Sequence, residues 1–268
     1  MKGRYAARIE YVCMGRIQRA WRKVWWSIGQ RGVRGTVRQA VQRARGSRGM
    51  EKPALHPFDE EHGTDTSGLV SGGGLFSGHE HDRFSVAYYG MSPSRMRRAF
   101  AQWRETAGTV GVEEYSFVDI GSGKGRAMML ASELPFREVV GVELNASLHQ
   151  VAEKNLKMWR ESGRALSPVR LVQGDVLGLS LPEGRLLIFM YNPFLAPMLR
   201  RLLARVEAAA GGRRGEIDLL YVVPQQEDVF AEFPGFELLW SERIGMSEAD
   251  AAADHVSSPE DRCSLYRR

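Results

Sequence analysis

Beyond residue 111 the chain alternates between short apolar runs and longer stretches whose apolar positions recur at helical spacing. Strands that are apolar along their whole length and separated by amphipathic helices are typical of a parallel sheet covered on both faces. Two further strand-like runs end the chain without a convincing helix between them, which predicts an antiparallel pair at the end of the sheet. The predicted strands lie at 115–120, 138–143, 168–175, 185–194, 216–223, 236–243 and 261–268.

A helix is predicted just ahead of this region. Ser92 and Pro93 are good signals for an N-cap and a first helical position. Met96, Phe100 and Trp103 then recur on one face of the predicted helix. This apolar stripe predicts a helix that packs on the core rather than a cofactor site.

Residues 51–90 break the pattern, because Gly, Ser, His and acidic residues dominate and no period is visible. We predict an irregular linker or a lid for this segment. His79, His81 and Asp82 are close enough in sequence for metal ligands, but no complementary ligand cluster appears elsewhere. We therefore predict a solvated loop here and no metal site.

Charge divides the chain unevenly. Residues 1–49 contain 13 Lys and Arg against one acid, Glu10, whereas 24 basic and 31 acidic residues follow. Apolar positions recur among these arginines, which predicts a basic helical arm over residues 1–50. Such an arm can lie on an anionic membrane surface, contact RNA phosphates, or pack on the body of the protein, and Met50 is an alternative start. The mildly acidic body gives no reason to expect a nucleic-acid partner.

Cysteine usage and hydropathy favour a cytoplasmic location. Cys13 and Cys263 lie at opposite ends of the chain, which indicates neither a disulfide framework nor a zinc site. No apolar run approaches the roughly 20 residues that cross a bilayer. We expect a cytoplasmic protein whose basic arm is the candidate for a peripheral membrane contact.

The sequence DIGSGKGR, at the end of the first predicted strand, excludes two familiar glycine-rich sites. A phosphate-binding P-loop fails because Lys124 is followed by Gly125 and because Val118 stands where the first glycine is needed. A dinucleotide site fails because Arg126 takes the place of the third glycine. What remains is G-x-G-x-G, with Asp119 two residues ahead of the first glycine.

This pattern resembles the first motif of class I S-adenosylmethionine-dependent methyltransferases. The resemblance implies an α/β fold: a Rossmann-like seven-stranded, mostly parallel sheet with helices on both faces and an antiparallel strand pair at the C-terminus. It also implies S-adenosyl-L-methionine as the cofactor. Asp119 would accept from the ammonium of its methionine moiety, and the backbone at Gly121, Ser122, Gly123 and Gly125 would approach the same end.

Two further acids stand where the resemblance requires them. Glu143 ends the second strand, 18 residues after Gly125, and would hold the ribose hydroxyls, with Leu144 beside it in the predicted site. Asp175 ends the third strand and would receive the adenine amino group, while Val176 would offer its amide to the ring. Taken singly, each acid also fits a turn, a first helical turn or a loop. Their order in consecutive strands favours a cofactor site.

The fourth strand ends in a candidate acceptor site. Tyr191, Asn192, Pro193 and Phe194 resemble the Asn-Pro-Pro-Tyr/Phe motif of methyltransferases that act on planar amines, with one proline missing. An Asn oxygen and a neighbouring carbonyl can accept the hydrogens of an amine, and an aromatic ring can stack on it. The alternative is that Asn192 and Pro193 only form the turn after the strand.

A second resemblance concerns the acceptor. The sequence YYGMSPSRMRRAF, followed by FVDIGSGKGR, resembles the Tyr-x-x-Thr/Ser-Pro helix and glycine motif of protein-lysine methyltransferases that lack a SET domain. It implies that Tyr89 and Ser92 lie near the methionine end of the cofactor, and that Arg126 opens the following helix. Lys124 is interpreted as an exposed loop residue or a contact to the cofactor carboxylate.

Together these patterns predict a basic helical arm (1–50), a lid or linker with a pre-domain helix (51–105) and a methyltransferase domain (106–268). The predicted activity is N-methylation of an amine, either a protein lysine or a small molecule. The alternatives are a nucleic-acid methyltransferase and a non-catalytic module that docks through its arm. No general base stands out, and the only candidates in the lid are Tyr88, Tyr89, Asp65 and His62.

Overall fold

The computed structural model describes residues 55–212, 214–254 and 256–268, and the predicted basic arm lies outside these ranges. The strands are β1 (Leu69–Val70), β2 (Tyr88–Tyr89), β3 (Tyr115–Ile120), β4 (Glu138–Glu143), β5 (Val169–Gln173), β6 (Arg185–Tyr191), β7 (Ile217–Val222), β8 (Glu237–Gly245) and β9 (Glu260–Arg267). The helices are α1 (Pro57–His62), α2 (Pro93–Ala107), α3 (Arg126–Ser132), α4 (Ala146–Glu161), α5 (Ala196–Ala210) and α6 (Glu248–Ala253).

Seven strands form one sheet in the order β5-β4-β3-β6-β7-β9-β8. Strands β3 to β7 run parallel, whereas β9 is antiparallel to both β7 and β8. The predicted fold class is thereby confirmed. The chain moves outward from β3 through β4 to β5 and then returns to β6 on the other side of β3. In such sheets ligands bind beyond the carboxyl ends of the strands on either side of this reversal.

Both faces of strands β3, β4, β6 and β7 are buried, which explains why these strands are apolar without alternation. Neighbouring residues of β3 belong to different cores: Phe117 packs with α2, α3 and α4, whereas Val118 packs with α5. The predicted stripe of α2 lies in the first core, where Met96 and Trp103 are fully buried. The helices thus cover each face and leave the carboxyl edge of the sheet for a site.

Two helix predictions need correction. The short helix α6 lies between the last two strands, where none was expected, because its mostly exposed sequence EADAAA carries no apolar stripe. The hydroxyl of Ser247 caps it by accepting from the amide of Asp250 at 3.2 Å. Helix α2 begins at Pro93 as predicted, but the Ser92 side chain makes no capping hydrogen bond.

Residues 55–91 have more structure than the irregular linker that their composition predicts. They contain α1 and an antiparallel pair of β1 with β2. The segment also pairs with the chain beyond β6, because Ser85 forms an antiparallel bridge with Phe194. We call residues 55–91 the lid segment. Among the described residues no helix is both long and apolar enough to cross a membrane.

Candidate active site

A cavity lies beyond the carboxyl ends of β3, β4, β5 and β6 and is covered by the lid segment. Most of the predicted site residues meet there, although they come from five separate stretches of chain. Three predicted residues do not line the cavity: Gly123, Gly125 and Asn192. Those that line it are Tyr89, Asp119, Gly121, Ser122, Glu143, Leu144, Asp175, Val176, Tyr191, Pro193 and Phe194.

Asp119 and Ser122 line this cavity, and each has a buried polar atom without a hydrogen-bond partner among the described residues. Asp119 lies near the end of β3 and is 2% exposed, and its Oδ2 has no hydrogen-bond partner among the described residues. The same is true of Ser122 Oγ. Burial, together with the nearby Glu143, raises the pKa of Asp119 to about 8. A buried carboxyl without a partner is costly, so this position fits a ligand that donates hydrogen bonds or carries positive charge.

The Glu143 carboxylate is held in place by two backbone amides. Its Oε1 accepts from the amide of Asn145 at 2.7 Å, and its Oε2 accepts from the amide of Gly123 at 2.8 Å. Burial raises the pKa of Glu143, and these amides oppose that shift. Because a carboxylate has about four lone-pair sites, both oxygens can still accept from two hydroxyl groups, as the predicted ribose contact requires.

Asp175 receives hydrogen bonds from two directions. Its Oδ1 accepts from the amide of Leu177 at 3.0 Å, and its Oδ2 lies 2.8 Å from Nδ1 of His81, a residue of the lid segment. The other ring nitrogen of His81 lies 2.8 Å from Nη1 of Arg201. Since a guanidinium can only donate, His81 must accept at Nε2 and donate from Nδ1. The lid is thus tied to the residue predicted to bind adenine.

The same geometry bears on metal binding. His79, His81 and Asp175 bring possible ligand atoms within 4.8 Å of one another, so the structure supplies the third residue that the sequence did not reveal. However, Nδ1 of His81 carries the proton donated to Asp175, and Arg201 holds the other nitrogen. Neither nitrogen therefore has a free lone pair for a metal ion. Asp82, the expected partner, instead accepts from the amides of residues 77–79 in a local turn.

The three glycines adopt positive φ angles, and a neighbouring side chain explains one of them. A Cβ on Gly123 would lie 2.2 Å from the ring of Tyr88, whereas one on Gly125 would lie at an ordinary contact distance of 3.4 Å from Cβ of Ala152. At Gly125 the φ angle of +87° is therefore the reason that favours glycine. Of the three, only Gly121 lines the cavity, opposite Pro193. The glycine at position 123 thus makes room for the lid segment.

A buried ion pair fastens the lid segment to the start of α3. Arg126 is 4% exposed and Asp59 is 2% exposed, with Arg126 Nη2 3.4 Å from Asp59 Oδ2. Asp59 also accepts from the hydroxyls of Thr64, Thr66 and Ser67. Arg126 in turn donates from Nε to the hydroxyl of Thr66 at 2.6 Å. The arginine predicted to open α3 therefore also anchors the lid.

Lys124 and Asn155 extend this attachment. Lys124 Nζ lies 2.6 Å from the carboxylate of Asp65 and 2.8 Å from the carbonyl of Ser67, with only 12% of its side chain exposed. Asn155 of α4 connects the backbones of Asp65 and Lys124, because its Nδ2 donates to both of their carbonyls at 2.9 Å each. Lys124 is therefore neither an exposed loop residue nor a lining residue of the cavity.

Replacing Asp59 by Asn should lower the free energy of unfolding by about 3 kcal/mol at neutral pH, because it leaves the buried Arg126 charge without its partner. Burial alone raises the pKa of Asp59, but the three hydroxyls and Arg126 lower it below its usual value. The stabilisation is therefore present above pH 4 and is lost as the pH falls through the lowered pKa.

Urea unfolding of the full chain between pH 2 and pH 7 tests this expectation. Glu161→Gln, which removes one member of the exposed pair with Lys157, is the matched control and should change stability by less than about 0.5 kcal/mol. A deficit in Asp59→Asn that persists undiminished at pH 2 would contradict the electrostatic explanation.

Backbone strain marks the ends of β6 and β7. Asn192 has φ +43° and Val223 has φ +52°, a conformation that is rare for a β-branched residue. The amide oxygen of Asn192 accepts from the Tyr221 hydroxyl at 3.3 Å, and the carbonyl of Pro193 accepts from the amide of Val86 at 3.1 Å. Such strain often accompanies functional sites. The Pro193 carbonyl, in the candidate acceptor site, is therefore already hydrogen-bonded to the lid segment.

Of three further residues that the sequence singled out, one lines the cavity. Tyr89 lines the cavity, and its hydroxyl donates to Asp254 at 2.5 Å. Ser92 is buried outside the lining, and its hydroxyl has no partner among the described residues. His62 packs its ring against Phe58 and Trp159 and takes no part in the cavity.

Sequence reasoning missed several contributors to this site, since they depend on distant partners. Leu75 and Arg126 line the cavity. Asp59 and Asp254 do not line it but bind residues that do, since Asp59 accepts from Arg126 and Asp254 accepts from Tyr89. A usable signal is the group of hydroxyl residues at 64, 66 and 67 close to Asp59, because hydroxyl groups can donate to a carboxylate.

Comparisons with known proteins leave the activity open. No protein-family profile and no curated protein matches this sequence. Among solved structures, similar ones include the ribosomal protein L11 methylase of Lactobacillus delbrueckii subsp. bulgaricus (13% identity, 66% of this chain and 79% of that chain covered, TM-score 0.42). Another is the glycopeptide N-methyltransferase MtfA in complex with S-adenosyl-L-methionine (16% identity, 67% and 95% covered, TM-score 0.44). A third is an S-adenosylmethionine-dependent methyltransferase from Clostridium acetobutylicum (10% identity, 66% and 92% covered, TM-score 0.45).

Similarity at this level does not establish what the chain binds or which reaction it catalyses. The fold assignment follows instead from the strand order, the antiparallel last pair and the acids at successive strand ends. The described residues have the Rossmann-like architecture that the resemblance to class I methyltransferases implies.

Proposed function

We propose that this protein is an S-adenosylmethionine-dependent methyltransferase that methylates the nitrogen of an amine, either a protein lysine or a small molecule. The observation that carries the proposal is the pair of buried, unpartnered atoms at the cavity wall, Asp119 Oδ2 and Ser122 Oγ. They lie at the end of β3, next to the carboxylates of Glu143 and Asp175 at the ends of β4 and β5. This set suits a ligand with an ammonium group, a diol and an exocyclic amine.

The residues fit the cofactor in a definite order. Asp119 would hold its ammonium, Glu143 its ribose hydroxyls and Asp175 its adenine amino group, with Val176 beside the ring. Gly121, Ser122 and Leu144 would contact it along the strand ends. When bound, the cofactor supplies a methyl group on a sulfonium, which is transferred by in-line displacement. That reaction needs alignment and exclusion of water more than strong acid–base chemistry, and the lid segment covers the cavity accordingly.

Binding and transfer can be measured separately on the full chain. Calorimetry should detect S-adenosylmethionine and its demethylated product, S-adenosylhomocysteine, and no binding at millimolar concentration by the folded protein would refute the proposal. Incubation with methyl-labelled cofactor and a cell extract then sorts the label into protein, small-molecule and nucleic-acid fractions. Label in nucleic acid would instead support the alternative activity, and cofactor binding without transfer would support a binding module.

Asn192 does not itself line the cavity, but it lies between Tyr191 and Pro193, which do, and it remains the proposed acceptor residue together with Tyr191, Pro193 and Phe194. Replacing Asn192 by Ala should reduce turnover at least tenfold and leave affinity for S-adenosylhomocysteine within twofold, because Asn192 lies outside the cofactor contacts. Asn192→Gly is the matched control for backbone strain, since glycine adopts φ +43° freely. Unchanged methylation by both variants would remove Asn192 from the mechanism.

The other expectations stay predictions. These are the domain boundaries at 50 and 105, a contact of residues 1–49 with anionic lipid or RNA, and the cytoplasmic location. The choice between a protein and a small-molecule acceptor depends on the label-sorting experiment.

A further inference from the structure

A further carboxylate, Asp254, lies behind the cavity lining and is hydrogen-bonded to Tyr89. The Tyr89 hydroxyl donates to Asp254 Oδ1 at 2.5 Å. The same oxygen accepts from the amides of Val256 at 2.9 Å and Ser257 at 2.7 Å. Asp254 itself is only 7% exposed and does not line the cavity. An oxygen that accepts from three donors is the arrangement expected of an ionised carboxylate.

This arrangement decides what the Tyr89 oxygen can do. A tyrosine hydroxyl has one proton, and here that proton is committed to Asp254. Burial, with the hydrogen bond to Asp254, raises the pKa of Tyr89, so its hydroxyl keeps the proton. Because Tyr89 lines the cavity, any hydrogen bond between its oxygen and a ligand there must be one that the oxygen accepts. A ligand group placed against it must be a donor.

The surroundings favour a donor that carries positive charge. Tyr191, at the end of β6, also lines the cavity, and its hydroxyl lies 3.5 Å from Ser257 Oγ in the loop that holds Asp254. Aromatic rings and a buried carboxylate together suit an ammonium group. The nearby guanidinium of Arg126 is engaged by Asp59 and Thr66, so it is already neutralised.

We propose that Tyr89, oriented by Asp254, binds the amine or ammonium nitrogen of the methyl acceptor through its hydroxyl oxygen. This inference rests on the proposed function and identifies the end of the cavity that selects amines. Tyr89 is assigned to the acceptor rather than to the cofactor because Asp119 already offers an unpartnered carboxyl for the cofactor ammonium. Tyr89 contacts the acceptor, whereas Asp254 is a positioning residue that acts through it.

Two conservative variants separate this role from a structural one. Tyr89→Phe keeps the ring and removes the oxygen. Asp254→Asn keeps an oxygen for the amides of Val256 and Ser257 but removes the negative charge, so the loop should retain its fold. Tyr266→Phe is the matched control for loss of a hydroxyl, because Tyr266 lies in the core formed with α5 and does not line the cavity.

The assay uses the full chain, saturating methyl-labelled S-adenosylmethionine and the extract fraction that the wild-type protein labels. Both variants should raise the apparent KM for that fraction tenfold or more and change kcat less than threefold. Affinity for S-adenosylhomocysteine should stay within twofold, and Tyr266→Phe should match the wild type. The labelled product should resist mild base, as a methylated amine does, whereas a methyl ester releases methanol.

Three results would overturn the inference. Unchanged KM with weakened S-adenosylhomocysteine binding in Tyr89→Phe would assign Tyr89 to the cofactor. Base-labile label would show a carboxylate acceptor and would leave the methyltransferase activity standing. Absence of both cofactor binding and label in the wild-type protein would remove the proposed function, and this inference with it.

Discussion

Replacing Gly123 by alanine should weaken S-adenosylmethionine binding at least a hundredfold and lower the free energy of unfolding by about 3 kcal/mol. Gly123 has φ +56°, where a side chain is strained by about 1–2 kcal/mol. A new Cβ would also lie 2.2 Å from Cε2 and 2.4 Å from Cδ2 of Tyr88. Tyr88 has little freedom to retreat, because its hydroxyl is bonded to the carbonyl of Thr66 at 2.7 Å. The glycine loop and the lid segment must therefore separate.

The expected loss of binding follows from what the Gly123 backbone does. Its amide donates to Glu143 Oε2 at 2.8 Å, so a displaced loop also releases the carboxylate predicted to hold the ribose. Chemical unfolding and calorimetry of the full chain measure both effects.

Gly163→Ala is the matched control for this prediction. Gly163 has φ +73° and open space around its Cβ direction, so alanine there meets the backbone strain without the clash. If the two variants behave alike, contact with Tyr88 is not the reason for glycine at position 123. Conversely, Tyr88→Ala in the Gly123→Ala background should recover part of the lost stability.

Replacing Asp119 by Asn should reduce S-adenosylmethionine affinity about a hundredfold and yet stabilise the cofactor-free protein. Burial and Glu143 raise the pKa of Asp119 from 3.8 to about 8, so ionisation of this carboxyl opposes folding. The sign follows from linkage: the wild-type protein loses stability as the pH rises from about 4 to about 8, and the variant does not. The difference should be near zero at pH 4 and reach a few kcal/mol above pH 8, at about 1.4 kcal/mol per pKa unit.

Unfolding of both proteins at several pH values, with and without S-adenosylmethionine, tests this prediction. A bound ammonium favours the ionised carboxylate, so the cofactor should flatten the pH dependence of the wild-type protein only. Asp228→Asn, at an exposed carboxyl outside the cavity, is the control and should follow the wild type. Equal cofactor affinity in Asp119→Asn and wild type would show that Asp119 does not hold the ammonium.

Some features of the site follow from local sequence because of how parallel sheets are built. Asp119, Glu143 and Asp175 each end or follow an apolar run, and the carboxyl ends of parallel strands meet at one edge of the sheet. Their order along the chain was therefore enough to predict that they share a cavity. The α2 stripe was predictable for a similar reason, because helical periodicity reports which face is buried.

Other features depend on pairs far apart in the chain. Asp59 and Arg126 are 67 residues apart, His81 and Asp175 are 94 apart, and Tyr89 and Asp254 are 165 apart. One partner of each pair lies in the lid segment, which has no periodicity, so neither partner predicts the other. The glycines show the same limit, since the motif indicated close approach but did not reveal that Tyr88 is the group approaching Gly123.

The sequence by itself determined the α/β architecture, the order of its strands along the chain and the acids at the carboxyl edge of the sheet, because these depend on periodicity and on strand-end position. Only the tertiary structure decided how the lid segment is fastened, which predicted residues reach the cavity and which way the Tyr89 hydroxyl points. Those features depend on hydrogen bonds and ion pairs that exist only once distant segments are packed together and water is excluded.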